Sequence, residues 1–208
     1  MHWSNSIRGA PVAFGLVASS VVAFLLFKEF GLYGELLQLF NYVPITLAVN
    51  GARLGEPGGD WWRFITPTLL HFSWMHLVFN CLWIWEFGRR IESAVGSLNI
   101  AGLFLASAAF SNSVQYFMSG PSIFGGMSGV VYAFLGFIWS GNALRPRWME
   151  PLPGAILGFM LIWLAVGMVG ALELLGAGAI ANGAHLGGLI IGVILGGVFA
   201  LVSRVASN

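Results

Sequence analysis

The chain has 208 residues, of which 58% are hydrophobic and 8% charged, whereas a soluble domain carries about a quarter charged residues. That composition argues against a soluble fold, and a formal net charge of +1 gives no reason to expect nucleic acid or another anionic partner. The single cysteine, Cys81, excludes an internal disulfide and any multi-cysteine metal site, and it reads as a helix-packing residue.

Long apolar runs broken by short polar stretches predict an all-α polytopic membrane protein with six transmembrane helices, each near the 20 residues that cross roughly 30 Å of hydrocarbon. The expected spans are 12–30, 74–91, 98–117, 127–143, 154–175 and 179–202, and together they make 1–208 a single membrane domain. If the spans alternate, Arg8, Arg89, Arg90, Arg145, Arg147 and Arg204 fall on one side, which places both termini in the cytoplasm. Lys28, Arg53 and Arg63 fall on the other face with Glu29, Glu35, Glu56 and Asp60. No small-residue cleavage site follows the first apolar run, so the first span is expected to be retained.

Between the first two spans, Gly31 to Ser73 forms a connection of about 40 residues, longer than loops in compact domains usually are. Its apolar stretches, 36–49 and 64–70, are too short to span and are separated by the turn-rich Gly51 to Gly59. With Trp61 and Trp62 beside them they suit a structured hairpin lying in the interface plane. Trp62-Arg63 reads equally well as the anchor of that loop or as an ordinary aromatic belt next to a basic residue.

The second span opens with His76, and Asn80 follows one turn later on the same helix face, so both side chains can address one target. His71 just precedes that span. The fourth span begins Gly125-Gly126-Met127-Ser128-Gly129 and continues through Tyr132, Ala133 and Gly136. The sixth carries Ala184, Gly188, Gly192 and Gly196 at four-residue intervals, a small-residue ridge that permits close helix contact. If that ridge packs on the small face of the fourth span, Ser128 meets His185.

Polar groups in apolar spans cost several kcal/mol unless satisfied, so each is a candidate for function. His76, Ser128 and His185 all lie near the starts of spans that begin at one face, within roughly 10 Å of the boundary at 1.5 Å per residue. Serine hydrolysis needs a base for the hydroxyl proton and donors for the oxyanion. His185 and Ser128 can form the first pair. His76, Asn80 and the Ser128 backbone N–H, left unpaired at a helix start, can supply the donors. Glu86 and Glu92 lie roughly 15 to 24 Å deeper on the same rise, which favours a Ser-His dyad over a triad and leaves Glu173 as the acid that depth does not remove. Each residue also has a plainer reading. A membrane serine commonly bonds the carbonyl one turn back, a lone histidine in a small-residue helix serves packing or proton relay, and Tyr132 is an ordinary core aromatic.

The segments His71-Phe72-Ser73-Trp74-Met75-His76-Leu77-Val78-Phe79-Asn80, Gly125-Gly126-Met127-Ser128-Gly129-Val130-Val131-Tyr132 and Ala184-His185-Leu186-Gly187-Gly188, in this order and with Trp62-Arg63 upstream, resemble the signature segments of rhomboid intramembrane proteases. The resemblance is to the bacterial six-helix form. It implies Ser128 as nucleophile, His185 as general base, and His76, Asn80 and the Ser128 amide as the oxyanion hole. It further implies that Tyr132 stacks on His185, that Gly126 and Gly188 allow close approach, and that His71, Arg63 and Glu92 serve structure. Expected substrates are transmembrane helices with small residues at the cleavage point, reaching the site sideways near the second and fifth helices. The expected setting is membrane lipid, in a bacterial inner membrane with the site near the outer face, and no cofactor is implied. The segment from Gly176 to Gly183 is slightly longer than the family pattern.

Three other readings compete with this one. A metal-dependent protease lacks an HExxH motif, and His71 and His76 lie about 140° apart if both are helical, too far round to share a metal. A noncatalytic relative that binds transmembrane clients would be expected to have lost the serine or the histidine, and both are present. A transporter would show midplane charges or inverted repeats.

Overall fold

A computed structural model describes residues 9–48, 51–174 and 180–205. In chain order these form α1 (Pro11–Lys28), α2 (Tyr33–Phe40), a hairpin of β1 (Ile45–Ala48) and β2 (Gly51–Leu54), two short 3-10 helices (Trp61–Phe64 and Thr66–Leu69), α3 (Trp74–Val95), α4 (Ser97–Ser119), α5 (Ser128–Leu144), α6 (Gly154–Met168), α7 (Ala171–Leu174) and α8 (Asn182–Val205). By length and composition α1, α4 and most of α8 are apolar enough to cross a membrane. Three further helices stand where the other spans are expected. α5 and α6 are apolar but only 17 and 15 residues long, and α3 carries Glu86, Arg89, Arg90 and Glu92 in its second half.

The stretch 154–175 is not one continuous helix. α6 stops at Met168, Gly170 takes a positive φ of 73°, and α7 begins at Ala171. Glycine in the left-handed region ends helices because it lacks the Cβ that penalises that conformation. The remaining part of the expected boundary, 175–179, lies outside the described residues.

α5 is the centre of the molecule, with nearly every residue from Gly129 to Gly141 buried. Its Phe134, Phe137 and Ile138 pack with Ile84, Phe87 and Ile91 of α3 and Ile100 and Leu103 of α4. α8 lies against α5 along its glycine ridge. A Cβ on Gly188, Gly192 or Gly196 would run into the carbonyl oxygen of Gly129, Ala133 or Phe137 respectively. The two small-residue faces therefore meet backbone to backbone, as the four-residue spacing predicts.

Buried polar groups fasten the helices at their ends. Glu92, 3% exposed, accepts hydrogen bonds from the backbone N–H of Val12 (3.0 Å) and Ala13 (2.9 Å) and from the Ser97 hydroxyl (2.6 Å). It supplies the acceptors that the first turn of α1 lacks, since Ala10 at its N-cap has no side-chain oxygen. Glu92→Ala is expected to cost about 2–3 kcal/mol by leaving these buried donors unpaired, read as a lower unfolding temperature in detergent. Glu92→Gln keeps an acceptor and should recover part of it.

The Gly31–Ser73 connection is tied down from within. Arg63 donates to Asp60 (2.9 Å) and to the backbone carbonyls of Gln38 (2.8 Å) and Asn41 (2.9 Å), and Trp62 donates to the carbonyl of Leu39 (3.2 Å). Trp62-Arg63 thus anchors this connection to the end of α2. At the opposite end of α3, Arg90 pairs with Glu86 and Glu150 and donates to the Pro151 carbonyl at 3.0 Å, holding the turn that leads into α6.

Candidate functional site

Three helix starts converge on one place. Ser128 is the first residue of α5, His76 the third of α3 and His185 the fourth of α8. His185 Nε2 lies 2.8 Å from Ser128 Oγ. The contact follows from the ridge packing, because Gly188 seated on the Gly129 carbonyl sets the residue one turn earlier on α8 beside the residue before Gly129 on α5.

The His185 ring is 6% exposed and is held from below by Tyr132, whose ring centroid lies 4.9 Å away at an interplanar angle of 34°. The Tyr132 hydroxyl donates to the Met160 carbonyl of α6 at 2.8 Å, which fixes the ring under the histidine. Among the described residues no carboxylate hydrogen-bonds to His185. Glu86 is engaged with Arg89 and Arg90, and Glu92 with the start of α1. Glu173 belongs to α7, and its side chain lies outside the described residues.

His76 and Asn80 face the turn that precedes Ser128. Ser73 caps α3, its hydroxyl accepting the His76 N–H at 3.1 Å, so His76 stands in the first turn. Asn80, one turn further along the same face of α3, donates through Nδ2 to the His76 backbone carbonyl at 3.0 Å. Gly126 holds a φ of 107°, and a Cβ there would collide with the His76 imidazole and come within 3.5 Å of Asn80 Nδ2. Both donor side chains therefore lie on the Gly126 peptide, two residues before Ser128, and only glycine fits at that position. The Ser128 N–H opens a helix and has no intrahelical acceptor.

His71 lies beside this group but off the helix, ahead of the Ser73 cap, and its ring centroid is 5.0 Å from that of His76. The angular objection to a shared metal, which assumed one helix for both, therefore does not hold. Among the described residues no group of three or more His, Cys, Asp or Glu is placed to hold a metal ion.

Some positioning residues carry no signal in the sequence. The Pro67 carbonyl accepts the Gly126 N–H at 2.9 Å, and a Cβ on Gly125 would meet Leu70 Cβ at 2.6 Å and the Pro67 oxygen at 2.8 Å, so the segment 66–71 is a strap across the turn before Ser128. The paired glycines at 125 and 126 are its only trace in the sequence. Gln115 of α4 accepts the Ala184 N–H through Oε1 at 3.0 Å and braces the first turn of α8. Asn182 donates to the Gly167 carbonyl at 2.9 Å and joins α8 to the end of α6.

The geometry can serve acyl transfer: a hydroxyl on a buried imidazole, beside a turn overlaid by polar donors. The protein-family model for the rhomboid domain matches residues 58–201, more than half of the chain and all of the elements that build this site. That family includes intramembrane serine proteases as well as noncatalytic members, and its fold fits a polytopic membrane protein. On this match the chain belongs to the rhomboid family.

Proposed function

We propose that the protein is an intramembrane serine endopeptidase that cleaves transmembrane proteins, with Ser128 and His185 as a catalytic dyad. The observation that carries the reading is the 2.8 Å contact between Ser128 Oγ and His185 Nε2, made between two helix starts with the imidazole packed at a tilt against the Tyr132 ring. With Nδ1 protonated, His185 Nε2 takes the Ser128 proton as Oγ attacks the scissile carbonyl, then gives it to the departing amine. The oxyanion is received by His76, Asn80 and the Ser128 N–H, donors already gathered around the Gly126 turn.

The same reading places six helices across the bilayer, both termini in the cytoplasm and the site near the outer face of a bacterial inner membrane. Its support is the distribution of arginines and the position of the site at three helix starts on one side. Substrates are transmembrane segments, and the strip between α3 and α6, where Trp83 and Phe159 ring centroids stand 6.4 Å apart, is the side from which they reach the dyad.

Purified wild-type protein in detergent should become labelled at Ser128 by a fluorophosphonate and should cleave a single-span substrate. A folded protein that does neither overturns the assignment in favour of a client-binding, noncatalytic role. Asn80→Ala and His76→Ala should each lower kcat by on the order of 10², the scale of losing one oxyanion donor. Cleavage at wild-type rates in both would remove them from the oxyanion hole.

A further inference from the structure

His71 is 0% exposed, and its two ring nitrogens have different fates. Nδ1 lies 3.2 Å from the Leu69 carbonyl oxygen. A carbonyl can only accept, so Nδ1 carries the proton. Burial, with His76 alongside, pushes this imidazole down to about 3, so it is neutral near pH 7 and its Nε2 is a bare lone pair. Nε2 is buried and has no hydrogen-bond partner among the described residues. Buried polar atoms are ordinarily paired, so an unmatched acceptor here asks for a role.

The neighbour that can supply a donor is His76. The ring centroids are 5.0 Å apart at 57°, a separation that accommodates one N–H···N bond of about 3 Å between ring edges after a small rotation. His71 is also tied to the turn that carries Ser128. Its Nδ1–H is held by the strap, and the strap binds Gly126 through the Pro67 carbonyl at 2.9 Å. The ring of His76 rests on that same Gly126.

We infer that His71 is a positioning residue for His76: its bare Nε2 receives one ring N–H of His76 and so fixes the other ring edge toward the oxyanion. This rests on the assignment of His76 to the oxyanion hole made above. With one N–H on His71 and one on the oxyanion, His76 is doubly protonated in the tetrahedral species. The added proton comes from solvent and returns there when that species collapses, while the Ser128 proton follows its own path through His185. The strap thereby sets both the turn before Ser128 and the donor facing it.

The test uses whole protein with ¹⁵N-labelled histidine, free and as the covalent Ser128 adduct of a fluorophosphonate, whose phosphoryl oxygen stands in for the oxyanion. In the wild-type adduct, His71 Nε2 should show the shift of a hydrogen-bonded acceptor and both His76 nitrogens should be protonated. In the His71→Met adduct, His76 should carry a single proton. His71→Met should lower kcat about tenfold, the effect of one ordinary hydrogen bond, with KM unchanged, and His71→Gln, whose amide oxygen reaches the same point, should regain most of it. A wild-type adduct with singly protonated His76, or an unbonded His71 Nε2, overturns the inference even if the Met variant fails to fold. So does an unchanged kcat in a folded His71→Met. Wild-type protein that is not labelled at all overturns the protease reading and this inference with it. A labelled and active enzyme with the wrong His76 protonation overturns this inference alone.

Discussion

Ser128→Ala and His185→Ala are each expected to lower cleavage of a single-span substrate by about 10⁴-fold or more, the range found when a hydrolase loses its nucleophile or base. Ser128→Ala should also abolish fluorophosphonate labelling. The two losses should not add, because either change removes the same proton transfer across the 2.8 Å contact, and the double variant should be no slower than the worse single one. Neither substitution should unfold the protein. Ser128 is a half-buried first residue of α5 whose hydroxyl bonds His185, and His185→Ala leaves the glycine ridge that joins α8 to α5 untouched. Cleavage rates and thermal unfolding measured on the same detergent preparations separate these effects. Near-wild-type cleavage in either single variant would sink the dyad. With no carboxylate on His185 among the described residues, the orientation of the imidazole falls to its tilted contact with the Tyr132 ring, so Tyr132→Leu should slow cleavage while Tyr132→Phe, which keeps the ring, should slow it less.

The parts legible in the sequence are those in which local pattern and long-range contact coincide. The ridge Ala184, Gly188, Gly192, Gly196 and the face Gly129, Ala133, Gly136 share a helical period, so their contact, and with it the meeting of Ser128 and His185, could be read from spacing. His76 and Asn80 were likewise placed on one face by their separation of four residues. The strap was not legible, because its defining bond joins the Pro67 carbonyl to the Gly126 N–H and backbone atoms leave no mark in residue type. β1 falls inside the apolar stretch 36–49 and β2 inside the turn-rich Gly51 to Gly59, and at four residues each neither stands out in the sequence as a strand. The break after Met168 is not legible because Gly170 stands in a run whose average hydropathy suits a span, and the average does not register a single left-handed residue.

Gly188→Ala is expected to destabilise the protein by more than about 4 kcal/mol, at the upper end of single substitutions, and to abolish fluorophosphonate labelling in whatever fraction folds. The added methyl would press into the Gly129 carbonyl oxygen, and because both groups are backbone-fixed no rotamer change can relieve the clash. α8 must then move away from α5 at the point where His185, three residues earlier, reaches Ser128, one residue before Gly129. Gly196→Ala meets the Phe137 carbonyl and the Ser140 hydroxyl and should also destabilise strongly. It lies eleven residues past His185, roughly 16 Å along the helix at 1.5 Å per residue, so its folded fraction should still label. Gly158→Ala on α6, with nothing within 4 Å of the new methyl, should be neutral or stabilising by up to about 1 kcal/mol. Stability should therefore fall at both ridge positions, and reactivity of the folded protein only at the one beside the dyad. Equal loss of reactivity at Gly188 and Gly196 would mean that the ridge acts through the fold as a whole and not by setting the distance between Ser128 and His185.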